Sequence, residues 1–114
     1  MRRDRERIIN ILEAPDSLMQ SLQGCTRTDF FSSDLIYSAS ACKLTIVGEA
    51  AARISTEMKD RHPQIEWRKV IGLRNFLVHQ YFGVDLAMVW EVATADVPPL
   101  RDSFAAMLLA EFPG

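Results

Sequence analysis

Residues 33–60 read SDLIYSASACKLTIVGEAAARISTEMKD, and their apolar side chains recur with a helical period, not a strand period. Leu35, Ile36, Ala39, Leu44, Ile46, Val47, Ala50, Ala51, Ile54 and Met58 fall mostly at three- and four-residue intervals, which gathers them on one side of a helix. Ser32 or Ser33 supplies a side-chain oxygen to cap its first turn. The alanines at 39, 41, 50, 51 and 52 favour the helix and let a neighbour approach closely. His62-Pro63 stops it, because a residue before proline avoids helical torsions. One long helix is therefore expected, ending near Asp60.

The same period extends on both sides. Ile8, Ile9, Ile11, Leu12, Leu18, Met19 and Leu22 predict an amphipathic helix from about Asp4 to Leu22, ended by Gly24. Pro15 lies on its apolar stripe, so a kink or a break is expected there. Thr26, Thr28, Asp29, Ser32 and Ser33 make a turn-like stretch with one short helical turn around Phe30 and Phe31. From Trp67 a further helix carries Val70, Ile71, Leu73, Leu77, Val78 and Tyr81, with Gly83 placed to end it. Asp85 can cap the next, which presents Leu86, Val89, Trp90 and Ala93. Asp96-Val97-Pro98-Pro99 should break and restart the chain. Phe104, Met107, Leu108 and Phe112 line the last helix. Nothing alternates with period two. The expected fold is all-α, an up-and-down bundle of four to five helices with antiparallel neighbours, in one domain over residues 1–114.

Composition narrows the function classes. The 114 residues are 48% hydrophobic and 25% charged, ordinary for a globular chain. No stretch is apolar enough to span a bilayer, and the opening residues are charged, so no membrane association and a cytoplasmic location are expected. Cys25 and Cys42 form no zinc-ligand pattern, and neither metal nor cofactor is expected. The net charge of −2 hides a gradient. From Arg53 to Arg74 there are six basic residues (Arg53, Lys59, Arg61, Arg68, Lys69, Arg74) against three acids, whereas Asp85 to Gly114 holds five acids against Arg101 alone. The basic side suits an anionic ligand, with Arg68 and Lys69 as candidate substrate contacts.

Within that basic region, residues 74–81 read RNFLVHQY. Arginine forks onto phosphate oxygens and histidine titrates near neutrality, so the pairing suggests phosphate chemistry without a metal. Neutral His79 can take the proton of a ribose 2′-hydroxyl, or protonated His79 can protonate a departing 5′-oxygen, while Arg74 holds charge on the phosphorus oxygens. Asn75, one helical turn from His79, can orient it or bind phosphate. Taken singly, His79 also reads as a structural histidine, Tyr81 as a packing residue and Arg74 as half of an ion pair. On a regular helix Arg74 and His79 point about 140° apart. Either the helix loosens near Gly83, or two copies meet across a twofold axis and share one groove; the second is favoured.

Arg74-Asn75-x-x-x-His79 matches the R-polar-x(3–5)-H motif of the HEPN superfamily, and with Tyr81 it resembles the R-x4-H-x-Y signature of the HepT toxins. Ile46-Val47-Gly48-Glu49-Ala50-Ala51, His62 to Arg68, Ile71 to Asn75, Tyr81 to Asp85, Val89-Trp90 and Pro98-Pro99-Leu100 resemble that family's pattern in order, over residues 34–112. The resemblance implies a symmetric homodimer and a metal-independent endoribonuclease that cleaves tRNA or mRNA. It would be the toxin of a type VII-like toxin–antitoxin module, with Arg74 and His79 catalytic. It also implies a partner, a minimal nucleotidyltransferase antitoxin that uses ATP to place AMP on Tyr81. Glu49 reads as a carboxylate paired with a neighbouring helix, not a catalytic acid. Two other readings are a non-catalytic helical dimer that binds RNA or the nucleotidyltransferase, and a nucleotide-binding helical protein, for which no glycine-rich phosphate loop is present.

Overall fold

Ser33 does cap the central helix: its extended backbone leaves Oγ free to accept from the Ile36 amide at 3.2 Å. In the computed structural model, which describes residues 3–75 and 86–113, this is helix α3. The elements before it are α1 (Asp4–Ser21) and α2 (Arg27–Phe31), and α3 itself runs Asp34–Ala52. After it come α4 (Thr56–Arg61), α5 (Trp67–Gly72), a 3₁₀ turn (Leu73–Asn75), α6 (Leu86–Glu91), a π turn (Val92–Asp96) and α7 (Val97–Glu111). No strand occurs among the described residues.

Two apolar layers hold these helices together, and the layer reached by each end gives each helix its direction. The first layer contains Ile8, Ile11, Ala14, Val47, Ala50, Ala51, Val70, Phe104 and Met107. Leu18, Phe30, Ala41, Leu44, Val89, Ala93 and Val97 belong to the second. Helix α1 runs from the first layer to the second, α3 from the second to the first, α5 from the first towards the second, and α6–α7 back again. That is the expected up-and-down alternation. In the second layer Phe30 is the hub, with Phe31, Tyr37 and Trp90 ring centroids 5.9, 6.5 and 5.1 Å away. The short α2 holds it there through a reciprocal cap: Thr26 Oγ1 accepts from the Asp29 amide and Asp29 Oδ2 accepts from the Thr26 amide, each at 3.1 Å.

Four expectations need correction. Helix α1 is not broken at Pro15, which is fully buried inside it; burying the ring offsets the hydrogen bond that proline cannot donate. The long helix does not reach Asp60, because Asp4 reaches across from the start of α1. Its carboxylate, 3% exposed, accepts from the Ser55 amide at 2.9 Å and the Ser55 hydroxyl at 2.7 Å. Ser55 is thereby held extended and its Oγ caps α4 by accepting from the Met58 amide at 3.2 Å. The helix from Trp67 tightens to 3₁₀ at Leu73. At Asp96–Pro99 a helix does restart with proline in its first turn, as expected, but without a break: a π turn, with the Val97 amide bonded to the Val92 carbonyl, carries α6 into α7. Pro98 and Pro99 lack the amides that a regular helix would need there. The expected roles of Gly83 and Asp85 lie outside the described residues.

The first and last helices meet the same short helix. Asp4 holds the start of α4 through Ser55, and Glu111 holds its end. Glu111 Oε1 lies 2.7 Å from Arg61 Nη2, and Glu111 Oε2 lies 2.7 Å from His62 Nε2. These partners, Arg61 first, lower the Glu111 carboxyl to about 2. An ionised carboxylate only accepts, so His62 Nε2 carries the hydrogen.

Candidate functional site

Helix α5 is fastened at its start by Trp67, whose indole N–H donates to the His62 carbonyl at 3.0 Å and whose ring meets Phe104 edge-on at 5.5 Å. Val70 is buried. Leu73 packs against both apolar layers, so the chain is held at the height where they meet. The 3₁₀ turn that follows lies directly on α3 at Gly48. A Cβ added to Gly48 would fall 2.9 Å from Arg74 Cα and from the Leu73 carbonyl carbon, and closer still to the Arg74 nitrogen. A lone glycine inside an apolar helical pattern is the one sequence signal for such a contact.

On this turn Arg74 and Asn75 both project to solvent. The Arg74 side chain makes no hydrogen bond or ion pair with a described residue. A groove of about 940 Å³ runs beside the turn, lined by Lys69, Leu73, Asn75, Met88, Asp96 and Leu100 among others. Arg68 is exposed as well. Lys69, also exposed, pairs with Glu66 at 2.8 Å, and that contact raises its pKa. An exposed pair of this kind holds its lysine weakly.

The basic stretch is thinner than its composition suggests. Arg61 is committed to Glu111, while Lys59 donates to the Ala52 carbonyl at 3.4 Å and sits 6.0 Å above the Trp67 ring. Glu49 does not pair with a neighbouring helix as expected: it is exposed and forms no ion pair with a described residue. His79 and Tyr81 lie outside the described residues, so the structure brings together Arg74 and Asn75, with Lys69 five residues before Arg74 and on the same groove as Asn75. Of the two histidines in the chain, His62 is a buried structural clamp. Among the described residues no helix is long and apolar enough to cross a membrane.

Comparison with known proteins gives this turn a context. The family described as "Ribonuclease HepT-like" matches residues 11–107. The chain is 31% identical over 103 residues to "Probable ribonuclease HepT" of Thermococcus cleftensis, covering 90% of this chain and 94% of that one. It is 30% identical over 94 residues to "Putative RNase MJ1380" of Methanocaldococcus jannaschii, covering 82% and 86%. It is 28% identical over 111 residues to "Putative RNase TTE0752" of Caldanaerobacter subterraneus, covering 97% and 99%. No solved structure matches at a significant level. With a match that spans most of the helical bundle and includes the turn bearing Arg74, the chain belongs to the HepT-like ribonuclease family.

Proposed function

We propose that this chain is a metal-independent endoribonuclease that acts as the toxin of a toxin–antitoxin pair, as one helical domain working as a symmetric homodimer. The observation that carries the reading is Arg74: an exposed guanidinium without a described partner, on a backbone held between Gly48 and the two apolar layers. A cation so placed loses no prior ion pair when it binds phosphate, and it costs little reorganisation. In the reaction, neutral His79 takes the proton of the ribose 2′-hydroxyl and the 2′-oxygen attacks phosphorus. The P–O5′ bond breaks, and a protonated His79, supplied by the second copy, gives its proton to the leaving 5′-oxygen. The products are a 2′,3′-cyclic phosphate and a free 5′-hydroxyl. Arg74 balances the charge that builds on the non-bridging oxygens, while Asn75 orients His79 or binds phosphate. Arg68 and Lys69 steer the RNA backbone towards the turn. The substrate class is tRNA or mRNA, met in the cytoplasm.

Tyr81 is the regulatory position in this reading. A nucleotidyltransferase partner that moves AMP from ATP to the Tyr81 hydroxyl, releasing pyrophosphate, would place a bulky anion seven residues from Arg74. The ATP and its magnesium belong to that partner. A reading as a non-catalytic RNA-binding dimer keeps the same residues but forbids cleavage, so one experiment separates the two. The purified chain should cleave bulk tRNA in the presence of a chelator, and His79→Ala should abolish cleavage while leaving the helical spectrum and the dimer intact. Retained cleavage by that variant overturns the assignment of His79. Intact mass after co-expression with the nucleotidyltransferase, followed by peptide mapping, should place the added AMP on Tyr81.

A further inference from the structure

We infer that Gly48 is a positioning residue for Arg74, setting the distance of the arginine-bearing turn from the bundle; this rests on the ribonuclease reading above. Gly48 is buried inside α3, one turn before its last residue and not at its C-cap, where glycine is less favourable than the alanines at 50–52. No positive φ calls for it, since Gly24 alone among the described residues has one. The requirement is spatial. Any Cβ at 48 would overlap the backbone of Leu73 and Arg74, and backbone, unlike the tip of a flexible side chain, yields only by moving the whole turn.

Leu73 fixes the same turn from beneath by packing into both layers. Gly48 and Leu73 thus leave the Arg74 backbone one depth at which to sit, while its side chain stays in solvent. A hydrogen at position 48 is therefore a distance setting for the guanidinium. Moving a transition-state cation by about 1 Å costs on the order of a hundredfold in rate even when the residue moved is itself intact.

The test is a double-mutant cycle with bulk tRNA as the probe, read as kcat and KM. Gly48→Ala should lower kcat by roughly a hundredfold with KM little changed, because only the transition-state contact is displaced. Phe30→Leu, in the second layer beneath α2, should lose a comparable Tm and keep its cleavage rate. In an Arg74→Lys background, where a flexible ammonium tolerates displacement, Gly48→Ala should add much less than it does alone. If Gly48→Ala does not fold, Leu73→Ala removes the opposite anchor and should show the same kcat loss and the same non-additivity. Wild-type kcat in Gly48→Ala, or full additivity with Arg74→Lys, overturns the inference while leaving the ribonuclease reading in place. No cleavage by the unaltered chain overturns both.

Discussion

A guanidinium that is to meet phosphate must be free of carboxylates yet fixed in position, and these demands normally conflict. Here they fall on different atoms: the Arg74 side chain is exposed while its backbone abuts Gly48. The contrast with Gly24 shows how differently one residue type is used. Gly24, just past α1, has φ 76° and open space around its Cα. Its need is conformational, so Gly24→Ala should cost about 1 kcal/mol in urea unfolding, with cleavage unchanged. A loss much above that figure would mean that the loop depends on more than the backbone conformation at Gly24. The motif residues Arg74, Asn75, His79 and Tyr81 are legible in the sequence because their chemistry is unusual at that spacing. Gly48 is not, because its significance depends on a turn 26 residues away.

Among the elements, those legible from the sequence are the ones whose causes are local. The helical period, the Ser33 cap, the Phe30–Phe31 turn and the start at Trp67 all follow from neighbours within a few residues. The division of α3 from α4 does not, since it is imposed by Asp4, 51 residues before Ser55. Ser55→Ala removes both the α4 cap and one of the two donors to the buried Asp4 carboxylate. It should destabilise by about 2 kcal/mol, seen as a lower urea midpoint at constant m-value. Ser55→Thr keeps the hydroxyl and should recover most of that loss; if it recovers none, the hydroxyl is not the source. The 3₁₀ turn at Leu73 was likewise hidden, since its residues read as ordinary helix. Arg74 therefore sits in a 3₁₀ turn, where the 100° per residue of a regular helix does not hold. The π turn at Val92–Asp96 is not legible either, because the sequence there reads as ordinary helix and the two prolines that follow argue for a break at Asp96–Pro99 unless the turn before them widens.

At the scale of the whole molecule, stability has a definite acid dependence. The folded state lowers the Glu111 carboxyl from its ordinary 4.5 to about 2, so its contribution is fully present above about 4.5 and is lost as pH falls towards 2. Tm should therefore drop through that window. Glu111→Gln should melt lower than the unaltered chain at pH 7, and the gap should close near the bottom of the window. A gap that stays constant with pH would show that the carboxylate's charge contributes nothing. The same carboxylate shares a task with Asp4. One lies at the end of α7 and the other at the start of α1, and together they grip the two ends of α4, six residues or about 9 Å of helix. The first and last helices are thus latched through one short element, so a local opening of α4 would release both clasps at once and free the two outer helices together.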